Sequence, residues 1–162
     1  MAGRKGVRET LSAFLANPPI PTLNQVFTSF PKRINFQLNS QPGQMTRSAV
    51  VVFIAGEDEN RLAIGGANSG WKRVDYSVIL QVYTHSLHIN AEDAMDDFDT
   101  LIDNIKERLR SDHNFGDTSG TLVWQGAEPI IMGRYGEPVT NKEGATEVFA
   151  ELEFTVTEMI QA

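Results

Sequence analysis

Ala-Glu-Asp-Ala-Met-Asp-Asp-Phe-Asp-Thr-Leu-Ile-Asp-Asn-Ile-Lys-Glu-Arg-Leu-Arg, residues Ala91 to Arg110, decides the fold. Its apolar residues, Ala91, Ala94, Met95, Phe98, Leu101, Ile102, Ile105 and Leu109, recur by threes and fours. That is the stripe of an amphipathic helix with one face committed to a core. Asn90 stands where its side chain can cap the first turn, with Glu92 and Asp93 at the positive end of the helix dipole. Lys106, Arg108 and Arg110 lie at the negative end. Just upstream, Val74, Tyr76, Val78, Leu80 and Val82 alternate along Trp71 to Thr84 as one face of a long strand. Strand and helix together are the unit against which the rest must pack.

Working outward toward the N-terminus, Gly56 to Gly70 carries an acidic cluster (Glu57, Asp58, Glu59), a brief apolar Leu62-Ala63-Ile64 and several glycines. It reads as a long hairpin connection, mobile until a partner orders it. Ala49 to Ala55 is a continuous apolar run, as for a central strand covered on both faces. Asn39 to Arg47 is polar with a Pro-Gly turn and predicts an exposed loop. Val26 to Phe30 and Ile34 to Leu38 predict short strands interrupted by Pro31, which favours an edge. Val7, Leu11, Phe14 and Leu15 mark a first helix, stopped at Asn17-Pro18-Pro19. Beyond the long helix, Ser111 to Gly120 is a turn-rich linker, and Leu122 to Trp124 and Pro129 to Met132 are short strands. Gly133 to Gly144 is a further loop. A last strand runs from about Glu147 to Met159, with Val148, Ala150, Leu152, Phe154 and Val156 on one face.

This order predicts one α+β domain over residues 1–162: a single mixed, mostly antiparallel sheet, one long helix and a short N-terminal helix packed on it, and long exposed loops. With 162 residues the chain can bury a core without staples. Cysteine is absent, which removes disulfides, thiolate metal sites and a cysteine nucleophile, and fits a reducing compartment. The opening Met-Ala-Gly-Arg-Lys-Gly-Val-Arg is basic without the apolar run of a secretory leader. No stretch approaches the length of a membrane span. A net charge of −7 speaks against a general nucleic-acid binder, without excluding a local basic patch.

The second strand faces are half apolar. Ile79 and Tyr83 share theirs with Arg73, Asp75, Ser77 and Gln81, and Phe149 lies beside Glu151 and Glu153. Such faces often meet another subunit, so Ile79, Tyr83 and Phe149 are the expected subunit contacts.

Candidate chemistry is sparse. His85-Ser-Leu-His88, Asp112-His113 and Asp93 contain metal-ligand types, but the spacing follows a strand end, and solvated loop histidines are the better reading. Asp93, Asp96, Asp97, Asp99 and Asp103 could suggest a two-metal nuclease. Helical geometry instead fans Asp93, Asp96, Asp97 and Asp103 over the polar arc as a solvated face, able to repel or steer another polyanion. Gly65 to Lys72 fails as a phosphate loop: Trp71 follows Gly70, and a strand follows in place of a helix. No Gly-x-Ser-x-Gly elbow exists. The sequence therefore predicts no catalytic residue, metal or cofactor. An enzymatic alternative, a metal-dependent hydrolase or nuclease, would use His85, His88 and the helix aspartates.

Read in order, the chain resembles the tail terminator (minor tail, tail-completion) proteins of long-tailed, siphovirus-like phages. The resemblance is carried by Val7-Arg-Glu-Thr-Leu-Ser-Ala-Phe-Leu15, Ile20-Pro-Thr-Leu-Asn-Gln-Val-Phe27 and Arg61-Leu-Ala-Ile-Gly-Gly66. Lys72-Arg-Val-Asp-Tyr-Ser-Val-Ile-Leu-Gln-Val-Tyr83 and the helix Glu92 to Arg110 complete it. It implies a virion protein of the tail–neck region, assembled in the host cytoplasm. Such a protein is a hexameric ring that caps the tail-tube protein, stops polymerisation and meets the head connector, while DNA transits without specific binding. Gln41, Arg47, Arg61, Trp71, Arg134 and Tyr135 would then lie in partner-contact loops, and Asp93, Asp96 and Asp97 on an acidic face near the channel. A neighbouring head-completion or head–tail joining protein is the alternative of the same kind.

Overall fold

The computed structural model describes residues 3–62, 70–117, 122–124 and 130–161. Its elements are α1 (Gly3–Ala16), β1 (Gln25–Phe27), β2 (Thr46–Arg61), β3 (Trp71–Ser86), α2 (Ala91–Ser111), β4 (Leu122–Trp124), β5 (Met132–Tyr135), β6 (Val139–Thr140) and β7 (Thr146–Gln161). The chain is α+β, with one mixed sheet and two helices, one long and one short. β3 is central: it pairs antiparallel with β2 from Ser86 to Lys72 and with β7 along all of Trp71 to Ser86. β1 adds a parallel pairing to β2 at Gln25 to Phe27, and β4, β5 and β6 lie one after another along the far side of β7.

The core follows from the periodicities. Val7, Leu11 and Leu15 of α1 and Phe98, Leu101, Ile102, Ile105 and Leu109 of α2 join Val50 and Val52 of β2. Val74, Tyr76, Val78, Leu80 and Val82 of β3, and Val148 to Val156 taken alternately on β7, complete the cluster. Asn90 occupies the N-cap of α2 with extended backbone, but its side chain makes no capping hydrogen bond. A cap is worth about 1 kcal/mol, whereas each large apolar side chain buried by α2 contributes roughly 1.5–3 kcal/mol, so burial holds the helix without it. At the other end Arg108 donates to the Phe14 carbonyl (2.9 Å) and the Pro18 carbonyl (2.6 Å), tying the exit of α1 to α2. Phe115, predicted to lie in a turn-rich linker, is buried in the core cluster. Its ring stands edge-on to Phe14, 6.0 Å away.

Several predicted loops are strand. β2 does not end at Ala55: the register shifts there, between the Ile54–Val78 and Gly56–Ser77 pairs, and the strand continues to Arg61 as an arm exposed on both faces. Acidic residues disfavour strands, but cross-strand partners override that preference. Lys72 of β3 binds Glu59 at 2.7 Å across the hairpin, and Arg4 of α1 lies 3.9 Å from Glu57 in an exposed pair that adds little. The hairpin connection shrinks to 62–70, of which 63–69 lie outside the described residues. Thr46 and Arg47 belong to β2, and Gly133 to Tyr135 to β5. Ile34 to Leu38 is not a strand. It forms turns, closed by Leu38 N–H to the Asn35 carbonyl, and its Phe36 lies flat on His85, with centroids 5.3 Å apart.

Phe98→Ala is expected to lower stability by about 3–5 kcal/mol, the cost of emptying a buried aromatic site. Asp103→Ala, on the exposed side of the same helix, should stay within about 0.5 kcal/mol. Urea melts of the two variants check this.

Candidate functional site

The open face of the sheet, opposite the helices, gathers part of the expected subunit contact. Tyr83 and Phe149 are register partners on β3 and β7, with ring centroids 5.0 Å apart. They line a cleft of about 360 Å3 with Ile34, Phe36 and Val139. Ile79 is not in it; it sits further along β3 between Phe53 and Glu153. The chain's own 34–36 segment thus covers some of the face that the sequence left for a partner. Burial, and after it the Glu151 carboxylate, push the Tyr83 phenol above its ordinary range.

Other exposed apolar residues mark the ends and edges of the sheet. At the tip of the arm stand Leu62 (52% exposed) and Trp71 (46%), where Leu62 N–H meets the Trp71 carbonyl. In the loops around the opposite end are Leu38, Met45, Leu87 and the fully exposed Ile89. A cleft of about 600 Å3 opens there between Arg33, Phe36, Arg47, His85 and Leu87. Ile130, Met132, Tyr135 and Val139 are exposed along the β5–β6 edge, and Phe30 beside the β2 edge. Of the residues expected in contact loops, Gln41 alone is in a loop and exposed. Arg61, Trp71, Arg134 and Tyr135 are exposed on strands, and Arg47 is half-buried in β2. Tyr135 also reaches α2: its ring is edge-on to Phe98 at 6.2 Å, and its hydroxyl accepts from Lys106 Nζ at 3.0 Å.

The acidic helix face is exposed at Asp93, Asp96 and Asp103, as predicted, and also at Asp99, whereas Asp97 is half-buried. The Asp97 carboxylate accepts from the Thr46 hydroxyl (2.6 Å) and lies 2.8 Å from His88 Nε2, tying α2 to the start of β2 and to the β3–α2 loop. Thr46 also bonds Ser86 at 3.0 Å. Neither His85 nor His88 is a solvated loop residue: His85 is in β3 under Phe36, and His88 holds Asp97. Among the described residues no three metal-ligating side chains gather into a site. Periodicity put Asp97 on the polar arc; its bonds to Thr46 and His88 are tertiary contacts with no sequence signal.

A second polar centre was missed because it looks like an ordinary strand position. Glu158 of β7 is fully buried on the helix side, where it accepts from the Tyr76 hydroxyl (2.9 Å) and from Gly3 N–H at the start of α1 (3.3 Å). A carboxylate there satisfies an orphan amide and complements the helix dipole. Burial, and then the bond to Glu158, hold the Tyr76 phenol well above its ordinary range. On the open face Asp75 is held below the usual carboxylate range, first by its hydrogen bond to Arg73 and also by the Thr157 hydroxyl. Among the described residues no helix is long and apolar enough to cross a membrane.

Asp97→Ala is expected to cost about 1–2 kcal/mol, the lower part of the range for a hydrogen-bonded charge because the carboxylate is partly exposed. Unchanged urea stability would show that the Thr46–Asp97–His88 contacts contribute nothing. Tyr76 sets a pH dependence with a definite sign. Its folded phenol ionises later than an unfolded one, so its contribution is complete below the ordinary tyrosine pKa of about 10 and is lost as pH rises above it. Tyr76→Phe should therefore shallow the fall in melting temperature measured above that pH, leaving the part due to Tyr83.

In comparisons with known proteins, no family model matches the chain, and no curated protein matches it.

Proposed function

We propose that this chain is a structural ring subunit that caps a phage tail tube, stops its polymerisation and presents a surface to the head connector. The observation that carries the proposal is the placement of exposed large apolar residues on both ends and both edges of one sheet. Apolar surface left in water forgoes roughly 25 cal/mol per Å2, and patches of it mark interaction surfaces. A subunit flanked by two copies of itself, with the tube on one end and the connector on the other, covers all four sides. The arm tip (Leu62, Trp71) and the opposite loops (Leu38, Met45, Leu87, Ile89) supply the two axial surfaces. Ile79, Tyr83 and Phe149 belong to the remaining face, left for whatever covers the cleft above them.

The exposed acids of α2 suit the same role. Asp93, Asp96, Asp99 and Asp103 repel a passing polyanion, so DNA transits without being held. On this reading the protein works in the tail–neck region of the virion after assembly in the host cytoplasm, as a hexamer and without a cofactor.

Light scattering of the purified chain, alone and mixed with tail-tube protein, tests the proposal together with tube lengths measured by negative-stain microscopy. The expected result is a hexamer, free or on tube ends, and tubes that stop growing when the chain is added. A monomer that leaves tube length unchanged would refute it.

A further inference from the structure

At the end of the sheet away from the arm, the open face carries two joined clefts of different character. Arg47 and His85 are register partners on β2 and β3, so their side chains stand side by side on that face. With Arg33 and Gln37 they line the cleft of about 600 Å3. Phe36 lies flat on His85. Ile34 and Phe36 also line the cleft of about 360 Å3 over Tyr83 and Phe149, so the two clefts share a ridge. Neither Arg33 nor Arg47 forms an ion pair with a described residue. Arg47 Nε and His85 Nδ1 are shielded from water and have no hydrogen-bond partner among the described residues. The chain thus supplies no acceptor to a half-buried guanidinium. That is a costly state, and a carboxylate accepting from the fork relieves it.

We infer that these clefts dock an extended segment of a partner protein, which sets an aspartate or glutamate carboxylate against Arg33 and Arg47 and an apolar side chain over Tyr83 and Phe149. Three observations select this occupant. First, charge: two guanidiniums line the larger cleft against one carboxylate, Glu143, in a chain whose net charge is −7. The outer N–H groups of Arg47 and the exposed Arg33 at the rim receive the ligand's carboxylate. Second, spacing: His85 and Tyr83 are two residues apart on one strand face, roughly 6.5–7 Å. Side chains i and i+2 of an extended ligand are separated by the same distance, so one acidic and one apolar residue reach both clefts. Third, a single charge is favoured over a row of them. Glu137 and Glu147 border the smaller cleft and Glu143 the larger. A phosphodiester backbone would bring its charges past all three, whereas a segment with one carboxylate places it beside the arginines alone. This site goes beyond the ring and holds whether or not copies of the chain assemble.

Nuclear magnetic resonance titration of the full chain with the peptide acetyl-Glu-Gly-Leu-amide tests the site. The expected result is a saturable shift of the Arg47 Nε–H, His85 ring and Phe149 ring signals. The peptide acetyl-Gln-Gly-Leu-amide should bind about tenfold more weakly. Arg47→Gln and Arg33→Gln should each weaken the glutamate peptide about fivefold or more, with circular dichroism unchanged. Arg33 lies outside the strands, so its variant keeps the test decisive if Arg47→Gln disturbs β2. Glu143→Gln should tighten the same peptide about twofold by removing a competing carboxylate. Equal binding of the two peptides, or no saturable shift, overturns the site. Duplex DNA that moves these signals when the peptide does not overturns it in favour of a nucleic acid. Signals that shift on dilution of the chain alone overturn it in favour of a second copy.

Discussion

The double pairing of β3 is the constraint on which the rest depends. Every residue from Trp71 to Ser86 has a partner on β7, and nearly all have one on β2. Because side chains alternate with period two, fixing this register assigns every residue of three long strands to the helix side or the open side at once. The buried stripe of α2 then has one surface to meet, and α1 is drawn over the same surface by Val7, Leu11 and Leu15. A slip of one residue would bury Arg73, Asp75 and Gln81 and expose Val74, Tyr76 and Leu80. No local preference could compensate for that.

Polar contacts refine this arrangement without creating it. Arg108 closes the helix layer at one corner and Glu158 at another, where it receives the first amide of α1. Asp97 fixes a third, through Thr46 and His88. At the Glu158 corner the Tyr76 hydroxyl is buried, and left unpaired it would cost more than the bond gains; the Arg108 and Asp97 contacts are part-buried or exposed and contribute less.

The long periodic segments were legible in the sequence, because α2, β3 and β7 state their period over many residues. β2 was legible only as far as Ala55, where apolar patterning stops; Glu57 to Arg61 remains strand because Lys72, Arg73 and their neighbours across the hairpin hold it. The same blindness to distant partners turned Arg134 and Tyr135 into loop residues, and left Phe115 unremarked among turn formers although it fills the core between Phe14 and Phe154. The candidate surfaces were legible in part. Alternation put Tyr83 and Phe149 on one face, but not the fold of 34–36 back over them. Nothing local distinguishes Asp97 from Asp96, since their roles differ only through what α2 rests against.

The unequal length of the pairings also fixes how the molecule answers to force. Traction along the strands loads the whole β2–β3–β7 ladder in shear, so that many hydrogen bonds must give way together. Traction on the outer edge peels β6, β5 and β4 from β7 in separate short steps, of two, four and three residue pairs. The subunit is therefore stiff along its strands and weak at one flank, and under strain it yields by unzipping that flank while the three-stranded body stays intact.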